Sequence, residues 1–273
     1  MIIAQISDMH VAEPDTPHDA AFSGATGLAH AVSHLNRLDP KPDLVIATGD
    51  LVAVGEAAEY KRLRELLAPL EAPLYVLPGN HDDRDALRDA FSDHDYLPAD
   101  GFLHYAVEAG SLRLIVLDTN VPGEEHGELC AERLAWLDAR LAETSDQATL
   151  ICLHHPPFRT GLRKMDETIL VGADSLGDLI GRHNHVERIL CGHLHRPITR
   201  RFHGTVALTC PSTAVQLELD LRPDDKLGLA KEPAACLLHY WDDDGGLVTH
   251  TSYVGKFETR TVFDGQNWIT TEN

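Results

Sequence analysis

Short apolar runs recur along the chain, each separated from the next by a stretch with helical spacing. MIIAQIS (1–7), DLVIAT (43–48) and PLYVLP (73–78) are apolar runs of strand length. Between them, residues 24–38 and 56–69 read as amphipathic helices, the first ending near Pro40 and the second stopped around Pro69. This alternation predicts buried strands joined by helices that cover them. Residues 83–91 read as a further helix, and FLHYAVEAG with LRLIVLD (102–118) predicts a hairpin turning at Gly110-Ser111. A helix at 130–143 precedes a strand at 148–155 (ATLICLHH), a helix at 173–183 precedes a strand at 186–193 (VERILCGH), and TVALTC (205–210) follows. ACLLHYW (235–241) and LVTHTSYV (247–254) flank Asp242–Gly246 as an antiparallel hairpin. The pattern predicts an α/β fold with helices on both faces, its sheet mixed rather than purely parallel. Residues 1–273 read as a single domain, with 210–256 a cap or oligomer-contact extension. Within it the least regular stretch, 210–232, reads as an excursion that covers a site or makes a subunit contact.

The polar residues that interrupt this pattern share one location, immediately after an apolar strand. The first strand ends in Ser7-Asp8-Met9-His10, the second in Gly49-Asp50, and the third in Gly79-Asn80-His81-Asp82. Later strands end in His154-His155 and in Gly192-His193-Leu194-His195. Ligand sites of open α/β sheets lie outside the carboxyl ends of the strands, so five such loops can converge on one crevice. Residues i and i+2 of an extended chain point to the same side, which makes Asp8/His10 and His193/His195 candidate pincers. A lone Asp or His in such a place is ordinarily a turn residue or a cap. Five strand ends in order, each supplying a metal-competent oxygen or nitrogen, are a different matter.

Charge sharpens the reading. The chain carries 23 Lys+Arg against 43 Asp+Glu, a formal net charge of −20, which argues against a binder of nucleic-acid polymers. The same charge would repel a small anionic substrate unless metal ions supply local positive charge. The 17 histidines are the residues to hold such ions. The five cysteines are scattered, without a Cys-x-x-Cys pair, and read as reduced thiols in a cytoplasmic protein rather than a thiolate zinc site. No apolar run is long enough to span a membrane, and the first apolar strand runs straight into Asp8 and His10, unlike a signal peptide.

The order Asp-x-His, Gly-Asp, Gly-Asn-His-Asp, His-His, Gly-His-x-His closely resembles the calcineurin-like metallophosphoesterase superfamily. Within it, the resemblance is closest to the class III bacterial cyclic-nucleotide phosphodiesterases and the related glycerophosphodiesterases. It runs through nearly the whole chain, in ISDMH, PLYVLPGNHDD, LHHPPF, CGHLH and EPAACLLHYW. It implies an αββα sandwich with mixed central sheets and a small C-terminal hairpin excursion. It also implies two metal sites: Asp8, His10 and His195 on the first ion, Asn80, His154 and His193 on the second, and Asp50 bridging both. A mixed nitrogen and oxygen set suits Mn²⁺, Fe²⁺, Co²⁺ or Zn²⁺. Two such ions with two carboxylates and one bridging hydroxide would leave the pocket about +1, enough to attract a phosphodiester monoanion.

By the same resemblance, His81 is the catalytic residue that is not a ligand, stabilising phosphoryl oxygens or assisting the leaving group, with Asp82 or Asp83 to orient it. His155 is expected behind the ligands. Arg159, Arg163 and Lys164 either contact the second substituent of the substrate or form a solvated basic loop. The implied reaction is hydrolysis of a small phosphodiester by a metal-bound hydroxide, in a protein that forms a homo-oligomer. Substrates are expected to be 3′,5′-cyclic nucleotides such as cAMP, with glycerophosphodiesters as the alternative, and a phosphomonoesterase or a non-catalytic scaffold behind them. The related glycerophosphodiesterases are expected to carry a substrate-side histidine around PSTAVQ. Val215 stands there, which favours the cyclic nucleotide.

Overall fold

The computed structural model describes residues 1–223 and 226–269. Two mixed sheets lie face to face. The first contains β1 (Ile2–Ile6), β2 (Leu44–Thr48), β3 (Leu74–Leu77), β14 (Ala235–Asp242) and β15 (Gly246–Tyr253), in the order β15-β14-β1-β2-β3. The second contains β4 (Tyr105–Ala109), β5 (Leu112–Val116), β7 (Thr149–Cys152), β9 (Val186–Cys191), β10 (Thr199–Phe202) and β11 (Thr205–Thr209), in the order β10-β11-β9-β7-β5-β4. Two minor pairs complete the set: β6 (Gly127–Glu128) with β8 (Leu170–Val171), and β12 (Gln216–Leu217) with β13 (Leu229–Ala230).

The strands are apolar on both faces because each sheet is covered twice. Ile3, Leu44, Ile46 and Leu77 of the first sheet meet Leu112, Leu114, Val116, Leu150 and Leu190 of the second in one buried cluster. The alternate residues Ala4, Ile6, Val45, Ala47 and Val76 face outward, against Leu28, Val32 and Leu35 of α2 (Gly24–Asn36) and Tyr60, Leu63 and Leu67 of α3 (Ala57–Leu67). Ile115, Ile151 and Ile189 likewise turn outward, onto Leu137 and Leu141 of α5 (Ala131–Ala142) and Leu176, Leu179 and Ile180 of α6 (Ala173–Ile180). A side-chain period of two in the strands and three-to-four spacing in the helices therefore build four layers, helix, sheet, sheet, helix.

Three features differ from the sequence expectation. A short helix, α1 (Pro17–Phe22), precedes α2; it has no buried residue and so no apolar stripe to announce it. β10 is an exposed edge strand of sequence TRRF, with only Phe202 buried. The C-terminal hairpin is no excursion: β14 pairs with β1 from Ile2↔Tyr240 to Gln5↔Leu237 and widens the first sheet. No helix among the described residues is long and apolar enough to cross a membrane. All five cysteines are free, four of them buried.

Candidate active site

Parallel strands deliver their carboxyl ends to one edge of the sandwich. β1 leads to Asp8 and His10, β2 to Asp50, β3 to Asn80 and His81, β7 to His154 and His155, and β9 to His193 and His195. The side chains converge by a route other than extended-chain alternation. Asp8, His10, Asp50, His193 and His195 all have positive φ, between 43° and 72°, and make up five of the eight such non-glycine residues among those described. The left-handed region is costly for residues with a Cβ, and Asp and His are among the few side chains that visit it. Each left-handed residue turns the chain sharply, so His193 and His195 are not a pincer; they reach different partners. The glycines of the loops make room. A Cβ on Gly79 would lie 2.2 Å from Asp50 Oδ1, and one on Gly49, itself at φ 91°, would lie 2.4 Å from His154 Nδ1.

Donor atoms of Asp8, His10 and His195 lie within 4.8 Å of one another, as do those of Asp8, Asp50 and His154. Asp50 Oδ2 is 3.6 Å from His10 Nε2 and 3.3 Å from His154 Nε2, which places that carboxylate between two groups. On the far side, Asn80 Oδ1 sits 3.2 Å from His154 Nε2 and 3.1 Å from His193 Nδ1. The seven residues expected as ligands are thus brought together, and Asp8, His10, Asp50, His154, His193 and His195 are all buried.

Three of the four imidazoles expected as ligands, those of His154, His193 and His195, are held from behind. His195 Nδ1 donates to the Val215 carbonyl at 2.9 Å, and His154 Nδ1 donates to the Thr48 carbonyl at 2.8 Å. A carbonyl only accepts, so these Nδ1 atoms carry a hydrogen and the Nε2 atoms face inward, toward Asp8 and Asp50. His193 Nε2 meets the Thr168 hydroxyl at 3.0 Å, leaving Nδ1 for the centre. Inward nitrogens beside two buried carboxylates fit cations, and the electrostatics agree. Burial holds the imidazole of His10 well below its ordinary pKa and that of His193 down to about 3, so both are neutral and competent as ligands. Burial also raises Asp8. It opposes ionisation of Asp50 too, yet His154 and His81 hold that carboxyl well below its usual range. His154 differs: against its own burial, Asp50 pushes it up to about 9, so its Nε2 carries a proton toward Asp50 that a cation in that place would displace.

His81 lies between Asn80 and the wall of the crevice. Its backbone N–H donates to Asp50 Oδ1 at 3.0 Å and its Nδ1–H to the Ala53 carbonyl at 2.7 Å. Against its burial, Asp50 raises its pKa, favouring the imidazolium whose Nε2–H is free to donate. Neither neighbouring carboxylate orients it. Asp82 accepts from the N–H groups of Leu51 and Gly79 and from the Tyr60 hydroxyl, and burial raises its pKa to about 6. Asp83 caps α4 (Arg84–Ala90) by accepting from Asp85 and Ala86. His155 shares a group with His154 and His193, but its Nε2 donates to the Glu125 carbonyl and its Nδ1 meets the Thr119 hydroxyl at 2.8 Å. Both nitrogens are therefore taken, which leaves it behind the donor layer. Arg159 does not reach the site; it is exposed and lines a different cleft. Arg163 is also exposed and donates to the Pro223 carbonyl, and Lys164 pairs with Glu167.

Asn120 was not singled out by the sequence reading. It is buried after β5, and its Nδ2 donates to the carbonyls of Gly79 at 2.6 Å and Asp82 at 3.0 Å, on either side of Asn80-His81. Asp118 holds its backbone, and Arg84 grips Asp118 through two bonds of 2.5 and 3.0 Å. The signal was present: LRLIVLDTN is a sixth apolar strand with polar residues at its end.

Two cavities open onto the centre. One, of about 310 Å³, is bounded by His10, Asn80, His81 and His193 at its base and by Phe22, Met165, Leu217 and Leu229 around it. The last two come from β12 and β13, so part of the irregular stretch lies beside the centre. The other, of about 350 Å³, shares Asn80 and His81 and is polar, with Asp83, Asp85, Asn120 and Gly123.

Two facing mixed sheets with a carboxylate–imidazole centre at their strand ends define a phosphoesterase of the dimetal kind, and residues 1–197 match the family described as calcineurin-like phosphoesterase. The chain belongs to that family. It is 39% identical over 259 residues to a protein of Arcobacter nitrofigilis named "Probable glycerophosphodiester phosphodiesterase GpdQ", covering 94% of this chain and 95% of that one. It is 33% identical over 246 residues to a cAMP/cGMP dual specificity phosphodiesterase of Mycobacterium tuberculosis, covering 89% and 76%. A dimetal phosphatase from Danio rerio superposes with a TM-score of 0.67 at 15% identity, covering 93% of this chain and 99% of that one, which shows a shared fold.

Proposed function

We propose that this protein is a binuclear-metal phosphodiesterase of small phosphodiesters. In this reading Asp8, His10 and His195 hold one divalent transition-metal ion, Asn80, His154 and His193 hold a second, and Asp50 joins both. The observation that carries it is the inward set of nitrogens around Asp50, with outer nitrogens anchored on Thr48, Val215 and Thr168. Bound there, two ions such as Mn²⁺, Fe²⁺, Co²⁺ or Zn²⁺ supply Lewis-acid polarisation of the phosphoryl group and acidify the attacking water. The chain's own residues do the rest. Asn80 adds a donor without adding negative charge, which keeps the centre attractive to a diester monoanion in a protein of net charge −20. His81, its Nδ1 fixed on Ala53, holds Nε2 for the phosphoryl oxygen or the departing alkoxide.

For substrate we propose a 3′,5′-cyclic nucleotide, whose base suits the apolar walls formed by Phe22, Met165, Leu217 and Leu229. Glycerophosphodiesters are the second reading, supported by the polar cavity on the other side of Asn80 and His81, since a linear diester has two substituents that diverge from phosphorus. The exposed Leu227 and Leu229 at the apolar cavity, with the exposed Leu219 and Leu221 of the same segment, support a homo-oligomer that covers them. The test is turnover of cyclic AMP, glycerophosphodiesters and phosphomonoesters before and after chelation. Activity is expected to vanish on chelation, return with Mn²⁺ or Co²⁺, and favour diesters; full activity in metal-free protein refutes the reading. Higher kcat/KM for glycerophosphodiesters than for cyclic AMP selects the second substrate.

A further inference from the structure

Arg159 has no place at the strand-end centre, and its surroundings are of another kind. It lines a cleft of about 570 Å³ together with Arg200 and Arg201 of β10 and His203 of the turn that follows, over a floor that includes Pro157, Phe158 and Phe202. Among the described residues, none lines both this cleft and either cavity at the metal-competent centre. One acid, Asp174 at the start of α6, borders it.

The charge pattern runs against that of the rest of the chain. With 43 acidic residues to 23 basic ones, the half-buried arginines of this chain find carboxylates readily. Arg62, Arg64, Arg84, Arg88 and Arg196 each have one. Arg159, Arg200 and Arg201 have none among the described residues; the one contact that links them is a bond from the Arg200 guanidinium to the Arg159 carbonyl at 3.2 Å. Arg159, Arg200 and Arg201 border one concavity, and an anion bound there would draw on their charge. The guanidinium fork matches phosphate oxygens two at a time, and a cleft with one sign of charge focuses the field on its ligand. The apolar floor offers no competing carboxylate.

We propose that this cleft is a second anion-binding site, separate from the metal centre, for a phosphate-bearing ligand with two or more negative charges. The proposal stands on the arginines alone and does not depend on the ligand assignment at Asp50.

Pyrophosphate is the probe, titrated calorimetrically into metal-loaded and metal-stripped protein at low ionic strength, where screening is weakest. The loaded wild type is expected to bind two equivalents, one at the metals and one in the cleft, and the stripped wild type one. Arg159→Ala/Arg201→Ala, two exposed positions with no packing role, is expected to lose the cleft equivalent or weaken it by about tenfold or more, while its diester turnover stays unchanged. Arg159→Lys/Arg201→Lys keeps the charge without the fork and should fall between the two. A parallel titration with AMP identifies the source of the phosphate: binding as tight as pyrophosphate assigns the cleft to nucleotides, and weaker binding to inorganic polyphosphate. Stripped wild type that binds no pyrophosphate overturns the proposal, and so does an alanine variant that binds it as the wild type does. If the metal assignment fails instead, the loaded protein loses its second equivalent and the cleft titration is untouched.

Discussion

Replacing Asn120 with alanine tests whether the loop carrying Asn80 and His81 owes its position to a neighbouring strand end. Asn120 is 2% exposed, and its Nδ2 bonds to Gly79 and Asp82 bracket the two site residues. Alanine removes both donors and leaves two carbonyls without them. The polar cavity beside Asn120 admits water, so the cost is the lower part of the usual range for buried orphans, about 2–4 kcal/mol in all. For a protein of this size that corresponds to a fall in Tm of roughly 5–15 °C. The effect on catalysis is separate. A shift of the loop by about 1 Å would misplace His81 and cost on the order of 10²-fold in kcat. The assay is steady-state turnover well below the midpoint of the variant, with metal content and Tm measured on the same preparation. Asn120→Asp keeps the volume but turns an acceptor toward both carbonyls, so it should be at least as damaging; a mild Asp variant would mean that the cavity, not the bonds, is what matters. Unchanged kcat in Asn120→Ala, with only a lowered Tm, would refute the clamp.

His81→Ala should retain both metals while turnover falls by about 10²–10⁴-fold, the usual worth of a positioned acid–base group, with a larger loss for a cyclic nucleotide than for an activated aryl diester. Equal losses on both would assign it to the phosphoryl oxygens, and loss of metal would make it a ligand. His104 sets an acid limit on stability. Its Nδ1 accepts from the Asp118 N–H at 2.9 Å, its ring stacks on Trp136, and burial lowers its pKa from 6.5 to about 4. The unfolded chain takes up that proton below pH 6.5 and the folded chain only near pH 4, so this contribution is present above pH 6.5 and lost as the pH falls between those values. It is worth up to about 3 kcal/mol. Urea unfolding at pH 7 and pH 4.5 should show a smaller difference in His104→Asn than in the wild type; an identical difference would exclude His104.

The metal-competent residues were legible because a buried parallel strand is an unbroken apolar run, and a polar residue ending such a run has a reason to be there. The same rule would have found Asp118 and Asn120 had the end of β5 been read as closely as the ends of β3 and β7. Proximity in sequence misled at Arg159. It follows His154 by five positions, but Pro156-Pro157 carry the chain away from the centre and into the other cleft. Elements that bury little, α1 and β10, left no pattern to read. Nor could the left-handed turns be foreseen, because they depend on how neighbouring strand ends press on one another. Val215 illustrates the same limit: its side chain is buried, and what it brings to the site is a backbone carbonyl for His195, which no substitution table reveals.

Those left-handed turns also constrain what descendants of this sequence can become. Five residues hold a conformation that costs on the order of 1 kcal/mol each relative to glycine, and they hold it where chemistry wants a side chain. A lineage that no longer needs hydrolysis can relieve that strain with glycine at the histidines. Asp8 and Asp50 also accept from the N–H groups of His193 and His81, so glycine there leaves a donor unpaired and offsets the gain. A lineage that keeps the reaction must carry the strain and recover stability elsewhere in the sandwich. Loss of activity through the histidines is therefore downhill, and glycine appearing at His10, His193 or His195 would mark a relative that has taken that path.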